Sequence, residues 1–212
     1  MEGTTILRLA TLLLVIFTTA PAFQQEVNRA DPEREKDVYA IYSLMLTNPR
    51  TSHGADDNKR YLIAAMTAPG VPHWPCVRPP KEREADRGAD FREALEDFTL
   101  REGMQRQLSP RLMLPKPYVL LSADEVRAFQ EARSLKKPPG SADGRFGDVT
   151  DLFTLSDVYF NRRRTLALTA ISSWCGNLCA LYQWKVFERS AGGAWRDTQW
   201  NACLAMAESL RP

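Results

Sequence analysis

The stretch that most constrains this chain lies near its C-terminus, where two β-like runs, Thr165–Cys175 and Cys179–Glu188, flank Gly176-Asn177-Leu178. With those three residues as the turn and Cys175 facing Cys179, Leu168 meets Val186, Ala170 meets Trp184, Ser172 meets Tyr182 and Trp174 meets Ala180 on one face. Thr169 then meets Lys185, and Ile171 meets Gln183, on the other. Side chains alternate between the faces of a strand, so a one-residue slip would exchange the two sets. Apolar pattern and cysteine position select the same register, which places the first set on a core face.

The runs on either side, Leu152–Phe160 and Ala194–Trp200, are also β-like and joined to the hairpin by short turns. Together the runs predict a four-stranded antiparallel meander. Bringing Val158 and Phe160 to the core face beside Leu166 and Leu168 sets Asn161 opposite Thr165 and leaves Arg162-Arg163-Arg164 as the turn. Trp195 and Trp200 are an odd number of residues apart and fall on opposite faces unless a bulge intervenes.

Upstream the chain reads as helices and two strands. Asp31-Pro32-Glu33 supplies an N-cap, a tolerated proline and an acid at the positive end of a helix dipole. Val38, Ile41, Tyr42 and Met45 then share one helical face, and Asn48-Pro49 ends the helix. Tyr61–Thr67 predicts a buried strand. Pro69, Pro72, Pro75, Pro79 and Pro80 make residues 68–88 an irregular covering segment. Phe91, Ala94, Leu95 and Phe98 predict a helix over 89–102 that stops at Gly103, Tyr118–Leu121 a second strand, and Ser122-Ala123-Asp124-Glu125 a capping box opening a helix through Phe129. The expected fold is therefore a single α+β domain over residues 23–212. Its parts are a helix-rich portion (23–135), a Pro- and Gly-rich loop (136–151) and the β-meander (152–212).

Residues 1–22 read as a secretory signal. Arg8 precedes the uncharged run Leu9–Phe17, too short to span a bilayer core that needs roughly 20 apolar residues. Ala20-Pro21-Ala22 fits an Ala-x-Ala cleavage site and predicts a mature start at Phe23. No second apolar run of spanning length follows, so the mature chain is expected to be soluble and to lie in the periplasm or outside the cell. The net charge of +2 gives no field that would favour nucleic acid. Four cysteines, Cys76, Cys175, Cys179 and Cys203, suit an oxidising compartment and two disulfides. Cys175 with Cys179 closes the hairpin turn, and Cys76 with Cys203 ties the proline-rich segment to the last element; Cys179 with Cys203 stays open as an alternative, as does a four-cysteine zinc site, whose usual two close pairs are lacking.

The elements Leu155-Ser156-x-Val158-x-Phe160-Asn161, Thr165-x-Ala167-Leu168, Cys175-Gly176-Asn177-Leu178-Cys179 and Gly193-Ala194-Trp195 resemble the C-terminal part of uncharacterised exported bacterial proteins. Those commonly read Ser-x-Val-x-Phe-Asn, Thr-x-Ala-Leu, Cys-Gly-x-Leu-Cys-Gly and Gly-x-Trp. Ala180 stands here where their second glycine is usual. The resemblance implies a bacterial envelope or secreted setting and carries no activity with it.

Export invites a search for hydrolase chemistry. The two histidines, His53 and His73, sit outside Gly-x-Ser-x-Gly, His-Glu-x-x-His and Cys-His settings. His73, held between Pro72 and Trp74, is a candidate base whose plainer reading is a surface histidine. Glu96 and Asp97, and Asp124 and Glu125, are carboxylate pairs that caps and solvated helix faces explain. No phosphate-binding glycine loop, dinucleotide fingerprint or calcium loop is present, so neither a cofactor nor a metal is expected. Arg163, at the tip of the arginine turn, is a candidate for an acidic partner, and Trp200, whose face is open, for an aromatic platform. These features favour a non-catalytic protein that binds an unidentified protein or envelope component, with a motif-poor hydrolase as the alternative.

Overall fold

The computed structural model describes residues 31–47, 60–68, 75, 77–133, 146, 149–176, 179–198, 200 and 204–206, with Cys179 and 204–206 described by their backbone alone. The expected signal segment and cleavage site, His53, His73, Cys76, Cys203 and most of the 136–151 loop lie outside them.

Three helices and eight strands follow one another in the described chain: α1 (Pro32–Thr47), β1 (Tyr61–Ala64), α2 (Lys81–Arg101), β2 (Tyr118–Leu121), α3 (Ala123–Arg133), β3 (Leu152–Leu155), β4 (Tyr159–Phe160), β5 (Leu166–Gly176), β6 (Cys179–Arg189), β7 (Trp195–Asp197) and β8 (Leu204–Met206). The fold is α+β, but the expected separate meander is not what forms. All eight strands join one mixed sheet in the order β2-β1-β3-β5-β6-β7, with β4 also on β5 and β8 also on β6. β1 runs parallel to both β2 and β3, and the remaining pairs are antiparallel. The two N-terminal strands thus extend the C-terminal sheet. Leu62 and Ile63 pair with Leu152 and Phe153, and this parallel contact between distant segments leaves no trace in local turns.

Both faces of the sheet are covered. On one, α1 packs Val38, Ile41, Tyr42 and Met45 against Ile63, Phe153, Leu155, Ala167, Ile171 and Phe187. On the other, α2 packs Phe91, Ala94 and Phe98 against Leu166, Leu168, Ala170, Trp184 and Val186, while α3 lays Phe129 on Leu62, Leu121 and Leu152. A face that reads as polar in sequence, with Thr169 and Gln183, is therefore buried as well.

The β5–β6 register is the expected one from Leu166↔Glu188 to Trp174↔Ala180. The turn closes differently: Gly176 faces Cys179, and Cys175 is the extra residue of a bulge. Gly176 takes φ +135°, a backbone state that L side chains rarely adopt, which is why the irregularity falls at the glycine. The β4–β5 register also differs from expectation. Phe160 faces Ala167 and Tyr159 faces Leu168, so Val158 and Phe160 pack on the α1 side, opposite Leu166 and Leu168. Asn161 accounts for the shift: its carboxamide oxygen accepts from the Thr165 and Leu166 N–H groups, at 2.8 and 2.9 Å, where a ladder pair had been expected. With apolar cover on both faces, either register buries its side chains, and the turn decides.

Asp31 caps α1 by accepting from the Glu33 and Arg34 N–H groups at 3.0 and 3.2 Å. The capping box of α3 forms in both directions, Ser122 N–H to Glu125 at 2.8 Å and Glu125 N–H to Ser122 Oγ at 3.3 Å. α2 begins at Lys81, inside the segment expected to be irregular. The proline barrier ends at Pro80, and Glu82 and Glu84 in the first turn complement the dipole. Arg83 and Arg87 then anchor that turn to buried Glu188, at 3.1 and 3.2 Å.

Candidate functional site

The Asn161–Thr165 turn sits over the middle of α2, and each arginine in it meets a carboxylate. Arg162 faces Glu96 at 3.2 Å and Glu93 at 3.8 Å, Arg163 reaches buried Asp90 at 2.9 Å, and Arg164 pairs with Asp31 at 2.9 Å. Arg164 takes φ 52°, the left-handed state that closes the turn. Asn161 donates to Asp90 at 2.9 Å, fastening the turn to α2 from below. Asp97 accepts from the Phe160 N–H at 2.8 Å and from Arg34 at 3.1 Å, while Arg34 also lies 4.8 Å over the Phe160 ring.

These contacts enclose a groove of about 490 Å³ between the start of α1, the outer face of α2 and the turn, lined in part by Arg34, Glu96, Asp97, Leu100, Phe160 and Arg162. Its rim is the open part. Leu100 is 78% exposed, Arg162 77% and Glu96 60%. An ion pair that wet is worth about 0–1 kcal/mol, so both partners can be redirected to a ligand's charges at little cost. The rim thus offers one exposed aliphatic side chain, Leu100, and the exposed Arg162–Glu96 pair, with the partly exposed Arg164–Asp31 pair also in the lining.

A second cluster is structural in geometry. Asp157, buried between β3 and β4, is held by Arg101 from α2 and by Arg106 at 3.1 Å. Burial pushes its carboxyl up, and the two guanidinium groups outweigh that effect and leave it below its ordinary value. The Asp90 carboxyl is likewise raised by burial but ends below its ordinary value through hydrogen bonds from Arg163 and Asn161. Asp37 accepts from Arg189 and from the Trp195 indole N–H at 3.0 Å. Glu188 takes Arg83, Arg87 and Arg196. Among the described residues, no group of three His, Cys, Asp or Glu side chains is placed to hold a metal ion.

The structure brings Arg163 into this region, with its guanidinium on Asp90 rather than free. Trp200 is buried against Phe91, ring centroids 5.8 Å apart, and belongs to the core, so it offers no open platform. It lies on the opposite face from Trp195, although β7 ends at Asp197 and does not run through to Trp200 as the sequence suggests. His73, Cys76 and Cys203 are outside the described residues, and among those described no cysteine is free. Asp97, Leu100, Arg34 and Phe160 were not legible as site residues. Glu96 and Asp97 read as a solvated pair, and only the partial burial of Asp97 under the turn separates the two. No helix among the described residues is long and apolar enough to cross a membrane. Comparison with protein-family models, with curated proteins and with solved structures gives no match for this chain.

Proposed function

We propose that this is an exported bacterial protein, released at Phe23 and soluble, that binds a protein or envelope component without catalysing a reaction, and that the groove beside the arginine turn is its binding surface. The observation that carries the reading is the rim: an exposed Leu100 beside an exposed, weakly coupled Arg162–Glu96 pair. Such a rim suits a peptide segment carrying an apolar side chain and a charge, since binding exchanges one solvent-facing ion pair for others and buries Leu100. Two disulfides, Cys175 with Cys179 and Cys76 with Cys203, complete the reading.

The test places a photo-crosslinking residue at Leu100 in the secreting cell. Expected is a discrete crosslinked envelope partner that disappears when Arg162→Glu and Glu96→Arg are each introduced alone, with thermal melting unchanged. A chain retained in the cytoplasm with residues 1–22 attached, or a crosslink indifferent to both charge reversals, counts against the proposal.

A further inference from the structure

Three aromatic residues on the α2 side of the sheet carry polar atoms that the described protein does not satisfy. Tyr159 comes from β4, and Tyr182 and Trp184 come from β6. The Trp184 ring lies 6.3 Å from each tyrosine ring, and Phe98 of α2 closes over Tyr159 and Trp184 at 5.0 and 5.6 Å. Tyr159 and Trp184 are fully buried. Both phenol oxygens and the indole nitrogen are buried, and none has a hydrogen-bond partner. Folding strips water from such groups, and native proteins replace the lost bonds in nearly every case, with ordered water or a ligand where the chain supplies nothing. A single orphan is an ordinary exception. Three in ring contact mark a place.

We infer that Tyr159, Tyr182 and Trp184 form an interior site for a small neutral molecule bearing a hydrogen-bonding oxygen, either water or a small organic guest. The indole N–H can only donate, so the guest must present an acceptor lone pair, and each phenol can then donate to it or accept from it. Neutrality follows from the walls. Leu168, Val186 and Phe98 pack around the cluster, and the two strongest charges acting on Tyr159, Asp157 and Arg101, are paired with each other. Burial also holds both phenols above their ordinary ionisation range, so they act as neutral donors at any working pH. The site lies on the sheet side of α2, whereas the groove lies on its outer face, and the two readings stand independently.

A high-resolution crystal structure of the mature chain, with melting of Tyr159→Phe and Tyr182→Phe, tests this. Expected is density about 2.7–3.2 Å from Trp184 Nε1 and from both phenol oxygens, together with a lowered Tm in both variants, because each loses a bond to the guest. The shape of the density, and mass spectrometry of material released on denaturation, separate water from an organic molecule. A dry cluster would overturn the inference. So would variants that melt above the parent, because removing an unpaired buried hydroxyl relieves a penalty instead of breaking a bond.

Discussion

Asp157 shows how much of this molecule rests on single buried charges. It is 1% exposed and accepts from two arginines that come from different segments. Asp157→Asn leaves Arg101 and Arg106 facing a neutral group and is expected to cost about 3–5 kcal/mol in equilibrium unfolding. A carboxyl held below its unfolded value stabilises the fold above that value and loses the contribution as pH falls through the folded one. Stability of the parent should therefore decline from about pH 5 downward, and the asparagine variant should show a flatter acid limb. Trp184 gives the apolar counterpart. Its ring is fully enclosed by Phe98, Tyr159 and Tyr182, so Trp184→Ala should cost about 3–5 kcal/mol by denaturant titration. That position was legible beforehand, because alternation in the hairpin puts Trp184 with Leu168 and Val186. The partners of Asp157 were not legible, since nothing in a sequence links residue 157 to residues 101 and 106.

Among the elements, those with local determinants came through and those set by distant partners did not. α1 begins at its Asp31 cap and α3 opens on its Ser122 box, because each signal lies within a turn of the helix it starts. The β5–β6 hairpin follows its side-chain alternation along nearly its full length. The β4–β5 turn failed because the relevant interaction, the Asn161 carboxamide bonding two backbone N–H groups, competes with an ordinary ladder pair and looks the same in sequence. Asn161→Ala removes those bonds and the bond to Asp90, and should cost about 2–3 kcal/mol while leaving the β5–β6 register intact by NMR. The first turn of α2 failed for the opposite reason. Proline opposes helix only as far as Pro80, and beyond it lies a stretch of helix formers whose arginines find Glu188 across the molecule.

At the scale of the whole molecule, a sheet covered on both faces explains why a polar-looking strand face lies buried, and why two N-terminal strands belong with six from the C-terminal part. Parallel pairing of β1 with β3 joins parts of the chain some ninety residues apart, beyond the reach of periodicity or turn chemistry. The proposed Cys76–Cys203 bridge would close a loop of roughly 128 residues and contribute about 5 kcal/mol in the chain-entropy account, against about 2 for Cys175–Cys179. Reduction of both bridges should then lower Tm by about 14–28 °C in calorimetry. Non-reducing peptide mapping checks the pairing, and a peptide joining Cys76 to Cys175 or Cys179 would exclude it. The buried carboxylates carry one more consequence, for time and not for equilibrium. Asp37, Asp90, Asp157 and Glu188 each take an arginine from another element, so these bonds can close only after sheet and helices have already met. Contacts made that late belong to the native side of the folding barrier. Neutralising any one of them should leave the refolding rate nearly unchanged and quicken unfolding, so these pairs set how long a folded molecule lasts before it opens.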